Sequence, residues 1–478
     1  MKTPRQYQAG ARTDINRLLN NGRNPVLCMP TGTGKTYTAC LIIADRVHMG
    51  ERVFILAPQV EIFEQWCLAL HDAGIRYGTV NADGVMGRGC SVYVCMPLSL
   101  ANILSKLPER YQPDIIITDE CHHSMADTWL AIYAYYPRAK RLGLTATPQR
   151  TDGKGFAGVY DYMIEPITMR EAITQGSLSE PLVIVPEQYV LEVPLQNGDY
   201  DTQAQAAALG KTRIIGDVIE QYGNIFAGMP CLVACCTYEH AEKMTAAFCG
   251  AGWQFAHIHS GLVDHERKAM LRRIRTGKLH GLCTVGIGIE GMDIPGLFGL
   301  IWLRRTMSVT IYLQFIGRVL RPMDGKRYGI VLDPVGNVFI HGAPDMPRTW
   351  SLAGRDGVQT DNSAVPRMQI CPHCGVMNAM QNTHCHICNG DLSSSGPMGG
   401  KKRGIPAMVD GKLVILGGDE LEARRDEIRA ALDAQRNQAH QQSERTPAQP
   451  TRAEKLTLLK NGLERRNGHF ADAVGRWL

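Results

Sequence analysis

The chain has no run of about 18 apolar residues, so no membrane-spanning helix and no membrane partner are expected. Its opening segment, MKTPRQYQAG, lacks the apolar stretch of a secretory leader. An excess of one charge is missing too. The 51 Lys and Arg against 46 Asp and Glu leave a net charge of +5, which permits a nucleic-acid partner without demanding one. Nor is there a disulfide framework. Of 15 cysteines, Cys371, Cys374, Cys385 and Cys388 share one short segment, and the rest scatter through apolar runs such as Val233-Ala234-Cys235-Cys236. Scattered thiols suit a reducing compartment, and a cytoplasmic location is expected.

What the chain does have is 478 residues, 44% hydrophobic and 20% charged, which is the composition of a globular protein with more than one core. Short apolar runs at Val26–Cys28, Val53–Ala57, Val92–Cys95, Ile115–Thr118 and Leu142–Leu144 alternate with segments of helical pattern. A second series follows at Cys231–Cys236, Phe255–Ile258, Leu282–Val285, Leu300–Leu303 and Gly329–Leu332, with helices expected over Tyr238–Cys249, Asp264–Arg275 and Val309–Leu320. Continuous apolar runs alternating with helices predict parallel sheets covered on both faces. The fold class is therefore α/β, with two such domains in tandem. The boundaries read as 1–165 for a first domain, 166–215 for a connecting segment and 216–345 for a second domain. A four-Cys module spans 366–392, and 393–478 holds a basic linker, a small hairpin over Met408–Ile415 and a helical tail.

Pro30-Thr31-Gly32-Thr33-Gly34-Lys35-Thr36 follows the first apolar run and opens a helical pattern. The strict G-x-x-x-x-G-K-[ST] pattern lacks its first glycine, which is Met29 here. Glycines let the backbone turn its N–H groups toward an anion. Lys35 is placed to reach the β/γ-phosphates of a nucleotide, and the Thr36 hydroxyl to hold Mg²⁺. Asp119-Glu120-Cys121-His122 ends the run Ile115-Ile116-Ile117-Thr118. Carboxylates at the end of a parallel strand sit where open α/β sheets bind ligands. Asp119 is suited to Mg²⁺, and Glu120 to orienting and deprotonating the attacking water.

Together these segments resemble the DExH-type superfamily 2 helicases, which use the P-T-G-x-G-K-T form of the loop and whose two domains are RecA-like. The resemblance covers residues 1 to about 340 and implies roles for further residues. Arg5-Gln6-Tyr7-Gln8 resembles the adenine-recognising segment, with Arg5 and Gln8 at the nucleotide. Pro58 and Gln65, Ser99, and Ser260-Gly261 fall in segments resembling nucleic-acid motifs, and Thr284 joins the same coupling set. Leu144-Thr145-Ala146-Thr147-Pro148 resembles the motif in which Thr145 and Thr147 couple ATP state to domain closure. Gly291-Met292-Asp293 resembles the motif linking nucleic acid to nucleotide, through Gly291 and Asp293, and His122 completes the catalytic set with Gln314, Arg318 and Arg321. Gln314-x-x-Gly317-Arg318-x-x-Arg321 puts two arginines three apart, on one face of a helix. As arginine fingers they are worth about 10³–10⁵ in rate in comparable phosphoryl-transfer enzymes.

Two Cys-x₂-Cys pairs separated by ten residues, Cys371/Cys374 and Cys385/Cys388, can supply four thiolates for tetrahedral zinc. A segment this small would draw its folding energy from the metal. Its sequence resembles the zinc module behind the motor domains of RadD-type DNA repair helicases, and the compact layout resembles phage-encoded helicases. The resemblance thus implies an ATP-dependent DNA helicase or translocase in repair, recombination or replication, using ATP, Mg²⁺ and Zn²⁺ in the cytoplasm of a bacterium or a phage-infected cell. DNA is favoured over RNA, and the tail is expected to contact a repair or replication protein. Residues 401–478 hold 15 Lys and Arg against 11 Asp and Glu. The alternatives are an RNA helicase, the motor subunit of a restriction or nuclease system, and a nucleic-acid scaffold with an inactive ATPase. Intact Lys35, Asp119, Glu120, Arg318 and Arg321 speak against the last.

Overall fold

The computed structural model describes residues 3–149 without 88, and 155–353 without 157, 187–192, 197, 211, 260, 287–293 and 295. Beyond these it describes 368–370, 377–379, 382–384, 390–391, 413–416 and 430–438 without 432 and 436. Numbered in chain order, β1 (Pro25–Cys28), β2 (Val53–Leu56), β3 (Tyr77–Asn81), β4 (Gly84–Met86), β5 (Val92–Cys95), β6 (Ile115–Asp119), β7 (Lys140–Thr145) and β8 (Tyr162–Ile164) form the first sheet. Its order is β4-β3-β5-β2-β6-β7-β1-β8, and only β4 runs antiparallel to its neighbour.

The run Val-Phe-Ile-Leu in β2 shows why these segments become central strands. β-Branched and aromatic side chains pack well on a pleated surface, and successive residues face opposite ways. Val53 and Ile55 enter one apolar cluster, while Phe54 and Leu56 enter the other. Both faces are therefore dry, and each buried side chain of this size contributes about 1.5–3 kcal/mol.

β9 (Glu180–Pro186) belongs to the second sheet, although 166–215 was expected only to connect the domains. Prolines at 181 and 186 bracket its apolar stretch and weaken the strand signal in sequence. A two-strand hairpin, β10 (Leu195–Gln196) and β11 (Asp199–Tyr200), follows. β12 (Cys231–Cys235), β13 (Phe255–Ile258), β14 (Gly281–Val285), β15 (Gly299–Trp302) and β16 (Tyr328–Leu332) complete the parallel part of the second sheet. β17 (Met368–Ile370) and β18 (Met377–Ala379) pair with each other. β19 (Leu413–Leu416) lies antiparallel to β9, and the rest of the hairpin expected over Met408–Ile415 lies outside the described residues. The second sheet reads β13-β14-β12-β15-β16-β9-β19.

The chain then returns to the first domain: the Phe156 amide donates to Leu352 O at 2.8 Å, and Leu352 packs on the outer cluster of the first sheet. Among the described residues no helix is long and apolar enough to cross a membrane.

Candidate active site between the two sheets

β1 delivers the loop Met29–Gly34, and the helix Lys35–His48 leaves it. Gly32 and Gly34 have φ of 91° and 93°, the left-handed region that only glycine adopts without penalty. The loop is held from outside by side chains. Tyr7 Oη donates to Thr33 O at 2.8 Å and Gln8 Nε2 at 3.0 Å. Gln8 Oε1 accepts from the Arg5 amide, so the expected adenine-reading residue also braces the phosphate loop. Thr33 Oγ1 donates to Pro30 O. Lys35 Nζ donates to Met29 O at 2.9 Å, across the mouth of the loop.

The acidic pair stands two strands away, at the end of β6 beyond β7. Asp119 Oδ2 accepts from Trp66 Nε1 at 2.8 Å and Oδ1 from the Glu120 amide at 2.9 Å. Glu120 is one of two non-glycine residues among those described with positive φ, at 47°. A side chain held in that region costs about 1–3 kcal/mol and persists only where its surroundings impose it. Beneath the turn, an added Cβ at Gly143 would lie 2.8 Å from Cys121 Sγ, so the small residue in β7 makes room for the buried thiol. His122 Nδ1 lies 3.5 Å from Glu120 Oε2. Burial, then the Glu120 charge, pushes Asp119 up to about 6. Burial pulls the Lys35 ammonium down, Arg321 adds to that, and Glu120 and Asp119 oppose it.

The second domain reaches this site. The helix Val309–Val319 carries Gln314 and Arg318, and every residue from Thr310 to Val319 is buried. An added methyl at Gly317 would sit 2.5 Å from Thr31 Cβ, and one at Gly32 would sit 3.3 Å from Arg321 Cγ. The helix therefore lies directly on the phosphate loop. Thr310 Oγ1 donates to Gln149 O, just past the Thr145–Thr147 turn. One expectation needs correction: Arg321 is not on the helix. The helix stops at Val319, because Pro322 disfavours helical backbone at the residue before it, and the second arginine is carried by the following turn.

Residues 1–150 match the family model described as type III restriction enzyme, res subunit, and residues 211–323 match helicase conserved C-terminal domain. The chain belongs to the superfamily 2 helicases. Helicases of this superfamily hydrolyse ATP and act on nucleic acid. A 51.5 kDa protein of a Lactococcus phage is 29% identical over 366 residues, covering 76% of this chain and 77% of that protein. The DNA 3'-5' translocase XPB2 of Sulfurisphaera tokodaii is 28% identical over 176 residues, 36% of each chain. The DEAD-box helicase Mss116 bound to ssRNA superposes with a TM-score of 0.52 at 15% identity, over 68% of this chain and 69% of that one, a likeness of fold.

ATP and Mg²⁺ follow from the helicase family. The residues fit a cation: Asp119, whose carboxyl is pushed up by burial and by the neighbouring Glu120 charge, is a group that a divalent ion would relieve. The remaining helicase residues are dispersed. Pro58 and Ser99 lie just beyond β2 and β5, and Gln65 on the helix Val60–Asp72. Thr145 Oγ1 accepts from the Thr147 amide, and both side chains are buried, as is Thr284 in β14. These three can couple through packing but do not face solvent. Gly261 is exposed, while Ser260, Gly291, Asp293 and the four cysteines lie outside the described residues.

Sequence reasoning missed Trp66 as the brace of Asp119, since the indole is the seventh residue of the helix Val60–Asp72 and the carboxylate lies 53 residues further along the chain. It also missed two ion pairs across the domain boundary, Arg267–Glu61 at 3.2 Å and Lys268–Glu64 at 3.1 Å. Glu242, His257 and His259 bring ligand-type atoms within 4.8 Å of one another on the second domain. There His259 Nδ1 accepts from the Gly261 amide, which assigns the proton of the neutral ring to Nε2 and leaves that nitrogen unready for a metal.

Proposed function

We propose that this helicase couples ATP hydrolysis to movement on DNA, with Lys35, Thr36, Asp119 and Glu120 of the first domain and Gln314, Arg318 and Arg321 of the second forming one ATP site. The supporting observation is the seating of Gly317 and Arg321 on the phosphate loop, next to the residues Thr31 and Gly32 that lead to Lys35. Thr36 and Asp119 would hold Mg²⁺, which would neutralise phosphate charge. Lys35 binds phosphate oxygens, Glu120 orients and deprotonates water, and the arginines offset the charge that develops on the transferred phosphoryl group. His122, beside Glu120, orients that carboxylate. Catalysis then requires closed domains, and opening after hydrolysis releases them. Residues 1–165 supply one jaw, and residues 216–345 with β9 supply the other.

Nucleic acid is read as crossing the strand ends near Pro58, Gln65, Ser99 and Gly261, gripped mainly through phosphates. DNA is favoured by the name of the archaeal translocase relative, and a repair, recombination or replication role by the resemblance to RadD-type helicases. A second reading, the motor of a restriction system, draws on the family model of the first 150 residues. The test is ATP turnover with single-stranded DNA, duplex DNA and RNA. Stimulation by DNA above RNA is expected; turnover indifferent to all three would sink the motor reading, and preference for RNA would replace DNA.

We also infer that Cys371, Cys374, Cys385 and Cys388 hold zinc. Two pairings bracket the cysteine pairs: Ile370 opposes Met377 on either side of the first, and His384 bridges Asp391 on either side of the second. About one zinc per chain is expected in the purified protein. A metal-free protein, with Cys371→Ser harmless to folding, would refute it.

A further inference from the structure

Because Arg321 lies beyond its helix, something other than helical hydrogen bonding must fix it. The last carbonyls of a helix have no intrahelical donor. Here the carbonyl of Val319 and those of the two residues after it are taken by one side chain and one amide. Lys326 Nζ donates to Val319 O at 2.6 Å, to Arg321 O at 3.1 Å and to Leu297 O at 2.5 Å. The Ser179 amide donates to Leu320 O at 2.7 Å. All three ammonium protons are accounted for by carbonyls. Lys326 is only 8% exposed and has no carboxylate partner among its described contacts; the Phe298 ring lies 5.9 Å away. Burial and the Arg321 charge pull its pKa down to about 7.

We propose that Lys326 is a positioning residue for ATP hydrolysis: by gripping the carbonyls on both sides of Leu320 and the strand-leading Leu297, it fixes the turn that carries Arg321 onto the phosphate loop. Packing alone does not account for a lysine here. A methionine would fill the same volume without the cost of burying an ammonium. The turn is also clamped from the C-terminal segment. Gln435 is 1% exposed, its Oε1 accepts from the Arg327 and Tyr328 amides, and its Nε2 donates to Tyr328 O. Gly325, with φ of 75°, lets Gln438 approach the same turn. The C-terminal segment thus holds the outside of the turn that Lys326 holds from within.

The inference rests on the reading of Arg321 as an ATP-site residue, and the test separates the two. DNA-stimulated turnover and nucleotide binding are measured for Arg321→Ala, Lys326→Met, Lys326→Arg and the double variant Arg321→Ala/Lys326→Met in the full chain. Arg321→Ala with wild-type kcat overturns the ATP-site reading itself. With that reading intact, Lys326→Met is expected to lower kcat about 10- to 100-fold, the scale of a misplaced catalytic group, with KM for ATP nearly unchanged. Lys326→Arg should recover most of the loss, and the double variant should be no slower than Arg321→Ala alone. Wild-type kcat in Lys326→Met, or losses that multiply in the double variant, overturns the positioning role. Should Lys326→Met not fold, Lys326→Gln, which keeps an amide donor, carries the same comparison.

Discussion

On the first domain, the groups around Lys35 sit on turns at strand ends. Gly32, Gly34 and Glu120 hold left-handed backbone, and Tyr7, Gln8 and Trp66 brace them through single hydrogen bonds. On the second domain, Gln314 and Arg318 sit inside a helix buried along its length, and Arg321 on a turn locked by Lys326 and Ser179. The difference separates two tasks. A phosphate-binding loop must change its contacts as nucleotide enters and leaves, and turns held by few bonds can do so. An arginine that acts only in the closed state needs a fixed position on a body that moves as a whole.

This contrast predicts different failures on the two sides. Lys35→Ala should abolish nucleotide binding and turnover together. Arg318→Ala should keep nucleotide binding while lowering kcat about 10³-fold or more. Nucleotide titration beside steady-state turnover checks the split, and equal loss of binding in both variants would erase the division of labour. Gly317→Ala tests the contact between the halves. Its methyl would meet Thr31 Cβ at 2.5 Å, backbone-anchored on both sides. Closure should be blocked and kcat should fall at least about tenfold, with nucleotide affinity near that of Arg318→Ala.

A smaller effect should come from pH. An ordinary aspartate titrates near 3.8, and Asp119 is raised to about 6. A raised carboxyl binds its proton more tightly in the folded state, so from this group the protein loses stability as pH rises from about 4 to 6. Mg²⁺ must displace that proton below pH 6. Its apparent affinity should therefore fall by up to about tenfold per pH unit below 6 and level off above it. Titrating Mg²⁺ against turnover from pH 5 to 8 measures this, and a flat affinity across the range would contradict the assignment of Asp119.

Most of this arrangement was legible because local chemistry and tertiary role coincide. Val-Leu-Cys before Gly-rich backbone, and Ile-Ile-Ile-Thr before Asp-Glu, read as buried strands ending in a site, and β5 and β13 match their expected limits. What escaped was non-local. β9 is a strand only because β16 offers an open edge, and β19 only because β9 does. Arg321 was placed on the helix because Gln-x-x-Gly-Arg-x-x-Arg has helical spacing, while one following proline decides otherwise. The roles of Trp66 and Lys326 escaped for the same reason, since nothing nearby in sequence announces Asp119 or the carbonyls around Leu320.

The weakest link in the contrast is the outer rim, where Arg267 pairs with Glu61 and Lys268 with Glu64. Both pairs join the helix Asp264–Arg275 of the second domain to Val60–Asp72 of the first, so they exist only when the halves are together. They are partly exposed, and each is worth no more than about 1 kcal/mol. Their effect should fall on closure and not on chemistry. Arg267→Glu, which puts like charges in contact, is expected to raise KM for ATP a few-fold and to make turnover less sensitive to salt. Adding Glu61→Arg should restore both, because the pair is re-formed with its signs exchanged. If the single swap left KM untouched, the Arg267–Glu61 pair would be passive and closure would rest on the contacts around the phosphate loop, Gly317 on Thr31 and Thr310 on Gln149.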